Sequence, residues 1–175
     1  ATYFFYEFIF LTLQFKNPIM PIILNIETAT KNCSVALAKE GKTIAYKEIA
    51  EQNFSHAEKL HVFIEELLAE NQLQFSDLSA IAVSQGPGSY TGLRIGVSSA
   101  KGFCYALNIP MIAIDTLQLL AKQIHIEEGI IIPMIDARRM EVFTAFYDKN
   151  HNQIRNTQAE IIDETSYQEI SDKIH

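Results

Sequence analysis

The sequence has no tryptophan, two cysteines, five prolines and seven glycines among its 175 residues. Cys33 and Cys104 lie in separate apolar stretches, without a CxxC pair or a histidine at ligand spacing. A disulfide framework and a thiolate metal or redox site are thereby excluded, and buried free thiols in a reducing cytoplasm are expected. The scarcity of proline and glycine, with no Pro/Ser tract or repeat, excludes linker-like and solenoid architectures. Basic residues are also few: 14 Lys and Arg stand against 21 Asp and Glu, a formal charge of −7. Nucleic-acid affinity comes largely from Lys and Arg neutralising phosphates, so direct, unaided binding of a polyanion is excluded and any RNA contact is expected through a partner. Residues 1–19 are aromatic-rich, but they carry Glu7, lack a basic leader and are too short and polar to span a bilayer. They read as neither a good signal peptide nor a membrane anchor.

What is present is a globular composition, 48% hydrophobic and 20% charged, long enough for one sizeable core or for one domain and part of a second. Met20 immediately precedes the first strand, so native translation is expected to begin there, with residues 1–19 a nonnative or poorly ordered extension. Residues 21–27, 33–39 and 42–49 read as β-runs joined by short turns, an antiparallel meander. Ser55-His56-Ala57-Glu58 fits a capping box, and Leu60, Phe63, Ile64, Leu67 and Leu68 continue at helical spacing to about Asn71. His56 and His61 fall on different sides of such a helix and read as capping and solvated residues, not as a metal pair. A short buried strand, Ala80 to Ser84, leads into the glycine-rich turn beginning at Gly86. Leu93, Val97, Ala100, Cys104 and Leu107 then form one apolar stripe. A strand at 111–115 and a short helix capped by Thr116 complete a β-β-β-α-β-α-β-α lobe over residues 20–127.

Residues 128–175 begin the same order again. Ile130 to Asp136 is an apolar run ending in a carboxylate, as Pro21 to Glu27 is, and Glu141 to Tyr147 follows a tight turn. A third run at 158–162 and a helix starting near Ser166 come next, so a second lobe is read as started and incomplete.

The turn itself, Gly86-Pro87-Gly88-Ser89-Tyr90-Thr91-Gly92, reads G-x-G-x-x-x-G, one residue longer than the dinucleotide fingerprint, and no Gly-Lys-Ser/Thr closes a P-loop. Gly41-Lys42-Thr43 lacks the upstream glycine of a P-loop and reads as a hairpin turn. Two readings of the Gly86 turn remain open: glycines that hold positive φ angles or admit a closely packed helix, and backbone amides that meet a ligand.

The duplicated order, with a carboxylate closing each first strand, resembles the α/β fold of the actin/Hsp70 class (ASKHA, ribonuclease H-like). In that class the first hairpins of the two lobes hold Mg-ATP phosphates. The strings ILNIETAT, SHAEKL, GPGSYTGLRIGVSSAKG and DARRMEVF resemble, more narrowly, the TsaB (YeaZ) family, which acts in making threonylcarbamoyladenosine on tRNA. The resemblance implies a noncatalytic, cytoplasmic scaffold. It would bind a TsaD-like catalytic subunit, join a TsaE-like ATPase in the complex, form a homodimer when alone and meet tRNA only indirectly. The implied interface lies on helices 55–71 and 91–107, with His56, Leu60, Ile64, Tyr90, Arg94, Val97, Ala100 and Lys101 as contact residues. Tyr90 and Arg94 are an aromatic anchor and a bidentate donor, types favoured at interface centres. Glu27, Thr28, Gly86, Gly88, Ser89, Asp136 and Arg138 would be vestigial phosphate-loop residues. No cofactor is expected to bind the chain alone, and ATP or ADP would sit at the subunit junction.

Two departures from the catalytic relatives carry the noncatalytic expectation. Residues 114–120 contain no histidine where TsaD carries two metal-binding ones, and Thr28-Ala29-Thr30-Lys31-Asn32 lacks the acid that follows the first carboxylate in active ATPases. The rival is an active actin-like ATPase or small-molecule kinase that uses Glu27 and Asp136. A metallopeptidase fails on the absence of HExxH and of a readable nucleophile–histidine pair.

Overall fold

The computed structural model describes residues 20–50 and 56–168. The expected extension at 1–19, the Ser55 cap and the part of the expected C-terminal helix beyond Gln168 lie outside the described residues, as does the side chain of His56, while at Ser166, the expected start of that helix, residues 164–167 form a turn with Tyr167 at φ 65°. Two compact units divide the described chain, one of residues 20–85 and 89–114, the other of 86–88 and 115–168.

In the first unit β1 (Ile22–Glu27), β2 (Cys33–Lys39) and β3 (Lys42–Ile49) form the expected antiparallel meander. The β2–β3 turn has Glu40 at φ 51° and Gly41 at φ 72°, the left-handed pair of a type I′ hairpin, so Gly41 belongs to a hairpin turn while Lys42 and Thr43 already lie in β3. After α1 (His56–Glu70), β4 (Leu78–Gly86) returns parallel to β1, and β5 (Met111–Asp115) lies beyond it, for an order of β3-β2-β1-β4-β5. A parallel neighbour needs such a helical crossover, and strands covered on both faces read as nearly continuous apolar runs. One face of this sheet carries Leu24, Ile26, Val35, Leu37, Ile81 and Val83, packed with Leu60, Ile64 and Leu67 of α1. Each such side chain contributes roughly 1.5–3 kcal/mol on burial. The other face is small and polar: Asn25 and Glu27 of β1 stand opposite Ala36 and Ser34 of β2, with Ala82 and Ser84 on β4, all buried. Lys47 of β3 ties the sheet to α1 through Glu66 at 2.9 Å and Glu70 at 2.7 Å.

α2 (Tyr90–Leu107) is capped by Ser89, whose Oγ accepts from the Gly92 amide at 3.2 Å, and ends on Asn108 at φ 53° just before Pro110. The buried residues of this helix are Gly92, Gly96 and Ala100. Val97, Cys104 and Leu107 of the expected stripe are only partly buried against the core, together with Ile95 and Phe103. The seam is made of the smallest side chains because the helix lies so close to the end of β1 that larger ones do not fit.

The second unit contains α3 (Thr116–Ala121), β6 (Met134–Arg138), β7 (Glu141–Tyr147) and β8 (Gln153–Ile161), with the strands antiparallel in the order β6-β7-β8. α3 is capped by Asp115, whose Oδ1 accepts from the Gln118 amide at 2.9 Å, and not by Thr116. It packs Leu117 and Ala121 against Ile131, Ala145 and Tyr147, so it belongs to the second unit although the sequence order groups it with the first. β6 starts later than the apolar run suggests, because Ile131 forms only an isolated bridge to Tyr147. Asp136 therefore lies inside β6, at a bulge, and not at a strand end. The element order β-β-β-α-β-α-β-α is the α/β order read from the sequence, and a second three-stranded meander follows.

Candidate functional site

The turn after β1 is held by the buried Glu27 carboxylate. Its Oε1 accepts the Ala29 amide at 2.6 Å, and its Oε2 accepts the Ser84 hydroxyl from β4. The Cys33 thiol is pushed up to about 11, first by burial and then by the nearby Glu27 charge. Thr28, fully buried, carries the contact to α2: a β-carbon on Gly92 would overlap the Thr28 carbonyl oxygen, and one on Gly96 would overlap the Thr28 hydroxyl. The Ser89 amide adds a bond to the Ala29 carbonyl oxygen at 2.6 Å. Glu27, Thr28, Ser89, Gly92 and Gly96 are thus brought together as a clamp that fixes the start of α2. Gly86, at φ 107°, supplies the backbone angle that an L side chain rarely adopts, and its peptide bond to Pro87 is cis. Gly88 is half-buried in the same turn.

The outer face of α2 differs sharply from the inner one. Tyr90 is 75% exposed and Tyr105 92% exposed. Arg94 lies between them in sequence, its Cζ 5.3 Å from the Tyr90 ring centre and its Nη1 donating to the Tyr90 hydroxyl at 3.5 Å. Lys101 is exposed beside Gly102, where an added β-carbon would meet nothing within 4 Å. Between α1 and α2 a groove of about 540 Å3 is lined by His61, Ser98, Ser99, Gly102, Phe103 and Ala106. His61 Nε2 and Ser99 Oγ share a hydrogen bond at 3.2 Å across it, and the His61 and Phe103 rings sit 5.9 Å apart.

Several residues expected to touch a partner occupy other places. Leu60, Ile64 and Ala100 are fully buried in the core and Val97 is half-buried, so they support the helical face from beneath and do not form it. An apolar repeat marks a helix's inner stripe and says nothing of what covers the opposite side. Tyr105 and Gly102 were not picked out, although they follow Arg94 and Ser98 at spacings of three and four along the same face.

Glu27 belongs to the first unit and Asp136 to the second. Asp136 Oδ1 accepts the Arg138 amide at 2.8 Å within its own turn, and Arg138, Arg139 and Met140 follow in left-handed conformation at φ 71°, 55° and 65°. Among the described residues no group of three or more His, Cys, Asp or Glu could hold a metal ion, and no helix is long and apolar enough to cross a membrane.

The family model described as TsaD, tRNA N6-adenosine threonylcarbamoyltransferase, matches residues 45–170. The solved structure of YeaZ from Pseudomonas aeruginosa superposes with a TM-score of 0.69 at 30% identity, covering 82% of this chain and 68% of that one. The chain belongs to the TsaB (YeaZ) family. The tRNA threonylcarbamoyladenosine biosynthesis protein TsaB of Escherichia coli K12 is 35% identical over 134 residues, 75% of this chain and 57% of that protein. TsaB of Bacillus subtilis is 38% identical over 125 residues, 71% of this chain and 54% of that protein. This TsaB-family chain thus spans a little over half the length of these curated relatives.

Proposed function

We propose that the chain acts in threonylcarbamoyladenosine biosynthesis on tRNA as a noncatalytic scaffold, docking a TsaD-like catalytic subunit on the outer faces of α1 and α2. One observation carries this reading: a helix clamped on its inner side by Gly92, Gly96 and Thr28 presents Tyr90, Arg94 and the almost fully exposed Tyr105 on its outer side. Exposed aromatic and arginine side chains on a rigid element are the composition of an interface centre. The noncatalytic part is supported by Glu27, whose two carboxylate oxygens are both engaged within the chain, by Ala29 and Ser84. In the same reading ATP or ADP lies at the subunit junction, a TsaE-like ATPase joins the assembly, tRNA is met through the partner, the chain pairs with a second copy when the partner is absent, and the whole works in the cytoplasm.

The test is capture of a purified TsaD-like subunit by the wild-type chain and by Arg94→Glu, Tyr105→Ala and Gly102→Leu. Gly102 is chosen because its new side chain enters open space, whereas a larger residue at Ala100 would disturb the core. At least tenfold weaker capture by each variant, with thermal stability not lowered, is expected; unchanged capture by all three overturns the interface. Isothermal titration of the chain alone with Mg-ATP separates the rival ATPase or kinase, for which tight binding is expected.

A further inference from the structure

The two helices that flank the groove at His61 and Phe103 differ in charge. α2 carries Arg94 and Lys101 and no aspartate or glutamate along its length, in a chain that sets 21 Asp and Glu against 14 Lys and Arg. Both cations are exposed. They are seven residues apart, two turns and about 10.5 Å along the axis, so they share the outer face with Tyr90, one turn before Arg94, and Tyr105, one turn after Lys101.

α1 has the reverse balance, with Glu58, Glu65, Glu66 and Glu70 against a single lysine, Lys59. Glu66 and Glu70 turn to β3, where both pair with Lys47. His61 marks the side turned to α2, because its Nε2 shares a hydrogen bond with the Ser99 hydroxyl. Glu58 lies three residues before His61 and Glu65 four after it, so both belong to that side, and both are exposed. A negative rim on α1 thus stands across from a positive crest on α2, with Gly102, Phe103 and Ala106 lining the space between.

Charge laid out in this way carries direction as well as sign. A helix packed along the groove meets the two rims with its two edges, as the flanking positions of a coiled coil meet those of the opposite strand. Carboxylates are favoured on the edge toward α2 and cations on the edge toward α1, and a helix laid the other way round brings like charges together. Resting on the docking surface proposed above, we infer that the groove takes an amphipathic helix of the TsaD-like subunit, acidic along one edge and basic along the other. Its carboxylates, two turns apart, lie opposite Arg94 and Lys101, and its apolar side chains enter between His61 and Phe103. The charges set which way round the helix lies and how fast it docks, while the tyrosines and the groove hold it.

The test measures association of the full chain with the purified TsaD-like subunit by surface plasmon resonance, between about 50 and about 500 mM NaCl. Lys101→Glu and Glu65→Lys move the net charge in opposite directions. Both are nevertheless expected to slow association about fivefold or more at the low salt, and to approach the wild-type rate at the high one. Lys149→Glu and Glu128→Lys, exposed in the second unit, repeat the two net-charge changes away from the groove and are expected to stay within about twofold. If one rim variant is slower and the other faster, net charge alone is read. That result, or wild-type rates in both rim variants, overturns the inference and leaves docking at Tyr105 and Gly102 in place. If the rim variants instead weaken self-association of the chain, followed by sedimentation, and leave association with the TsaD-like subunit unchanged, the groove belongs to a second copy and the inference falls. No association by the wild type overturns the docking surface and the inference together.

Discussion

The Thr28 side chain fills the space that a β-carbon on Gly96 would need, with Oγ1, Cβ and Cγ2 all within 4 Å of that position. At Gly92, one turn earlier, the obstacle is the Thr28 backbone carbonyl, and at Gly102 there is none. The three glycines therefore answer the same substitution in three ways. Gly96→Ala is expected to lower stability by about 1–3 kcal/mol, and Gly92→Ala by at least as much, because overpacking forces backbone shifts. Gly102→Ala is expected to raise stability by up to about 1 kcal/mol through helix propensity alone. Adding Thr28→Ala should relieve Gly96→Ala but not Gly92→Ala, since only the first clash is with a side chain. Urea unfolding of the two double-mutant cycles measures this coupling, and equal relief at both sites would contradict the packing described.

Removing the donor from the Glu27 carboxylate gives a second prediction. Ser84→Ala leaves a buried carboxylate oxygen short of a hydrogen bond from the protein and should cost about 1.5–3 kcal/mol. Ser98→Ala, on the lining of the α1–α2 groove, should stay within about 0.5 kcal/mol. Chemical denaturation compares them, and a loss at Ser84 as small as at Ser98 would remove the clamp's energetic role.

Cys33 and Cys104 are expected to differ in reactivity. Burial, and then the Glu27 charge, push the Cys33 thiol from 9.0 up to about 11. Alkylation of the native chain at about pH 8 should modify Cys104 well before Cys33, because the thiolate is the reactive form; mass spectrometry of timed samples reads the order. The raised folded value also sets a sign. The contribution of this thiol to stability is complete below 9.0 and is lost as pH rises through about 11. Between about pH 8 and pH 10.5 the wild type should therefore lose more stability than Cys33→Ala.

Glu160 carries the opposite dependence. Burial pushes its carboxyl up, and the hydrogen bonds from Tyr167 and Arg155, with the Arg155 charge, outweigh that and hold it below the ordinary 4.5. Its contribution is present above 4.5 and is lost as pH falls through the lowered folded value. Glu160→Gln should show a smaller fall in melting temperature than the wild type between about pH 6 and pH 3.5, a comparison that scanning calorimetry makes directly.

Much of the first unit was legible from residues alone. β2, β3 and β5 begin and end where alternation and turn residues place them, because Asn, Gly and Pro punctuate apolar runs of the right length. The order of elements was legible too, whereas the order of strands in the sheet, β3-β2-β1-β4-β5, was not, because spacing along the chain does not say which edge of the meander receives the parallel return. The close packing of α2 was one of the two readings the glycine turn left open; what periodicity could not supply was the partner, since nothing in the spacing points to Thr28 as the residue that Gly92 and Gly96 make room for. β8 was seen only in part, since Gln153 to Ile161 is polar on both faces and is formed by its ladder to β7. The Asp115 cap was missed because the last residue of a strand is also the first half-turn of a helix. Of the contact residues that the resemblance implies, Tyr90, Arg94 and Lys101 are at the surface, whereas Leu60, Ile64 and Ala100, which also belong to the apolar repeats of their helices, are in the core.

The bonds that seat the start of α2 on the β1 turn, from Ser89 to Ala29 and from the glycine seam to Thr28, form when the chain folds. A partner that arrives later meets a helix whose backbone has already surrendered its freedom. Association at Tyr90, Arg94 and Tyr105 then loses side-chain entropy almost alone, and an interface of modest area reaches an affinity that a loop of the same composition would lose to its own ordering.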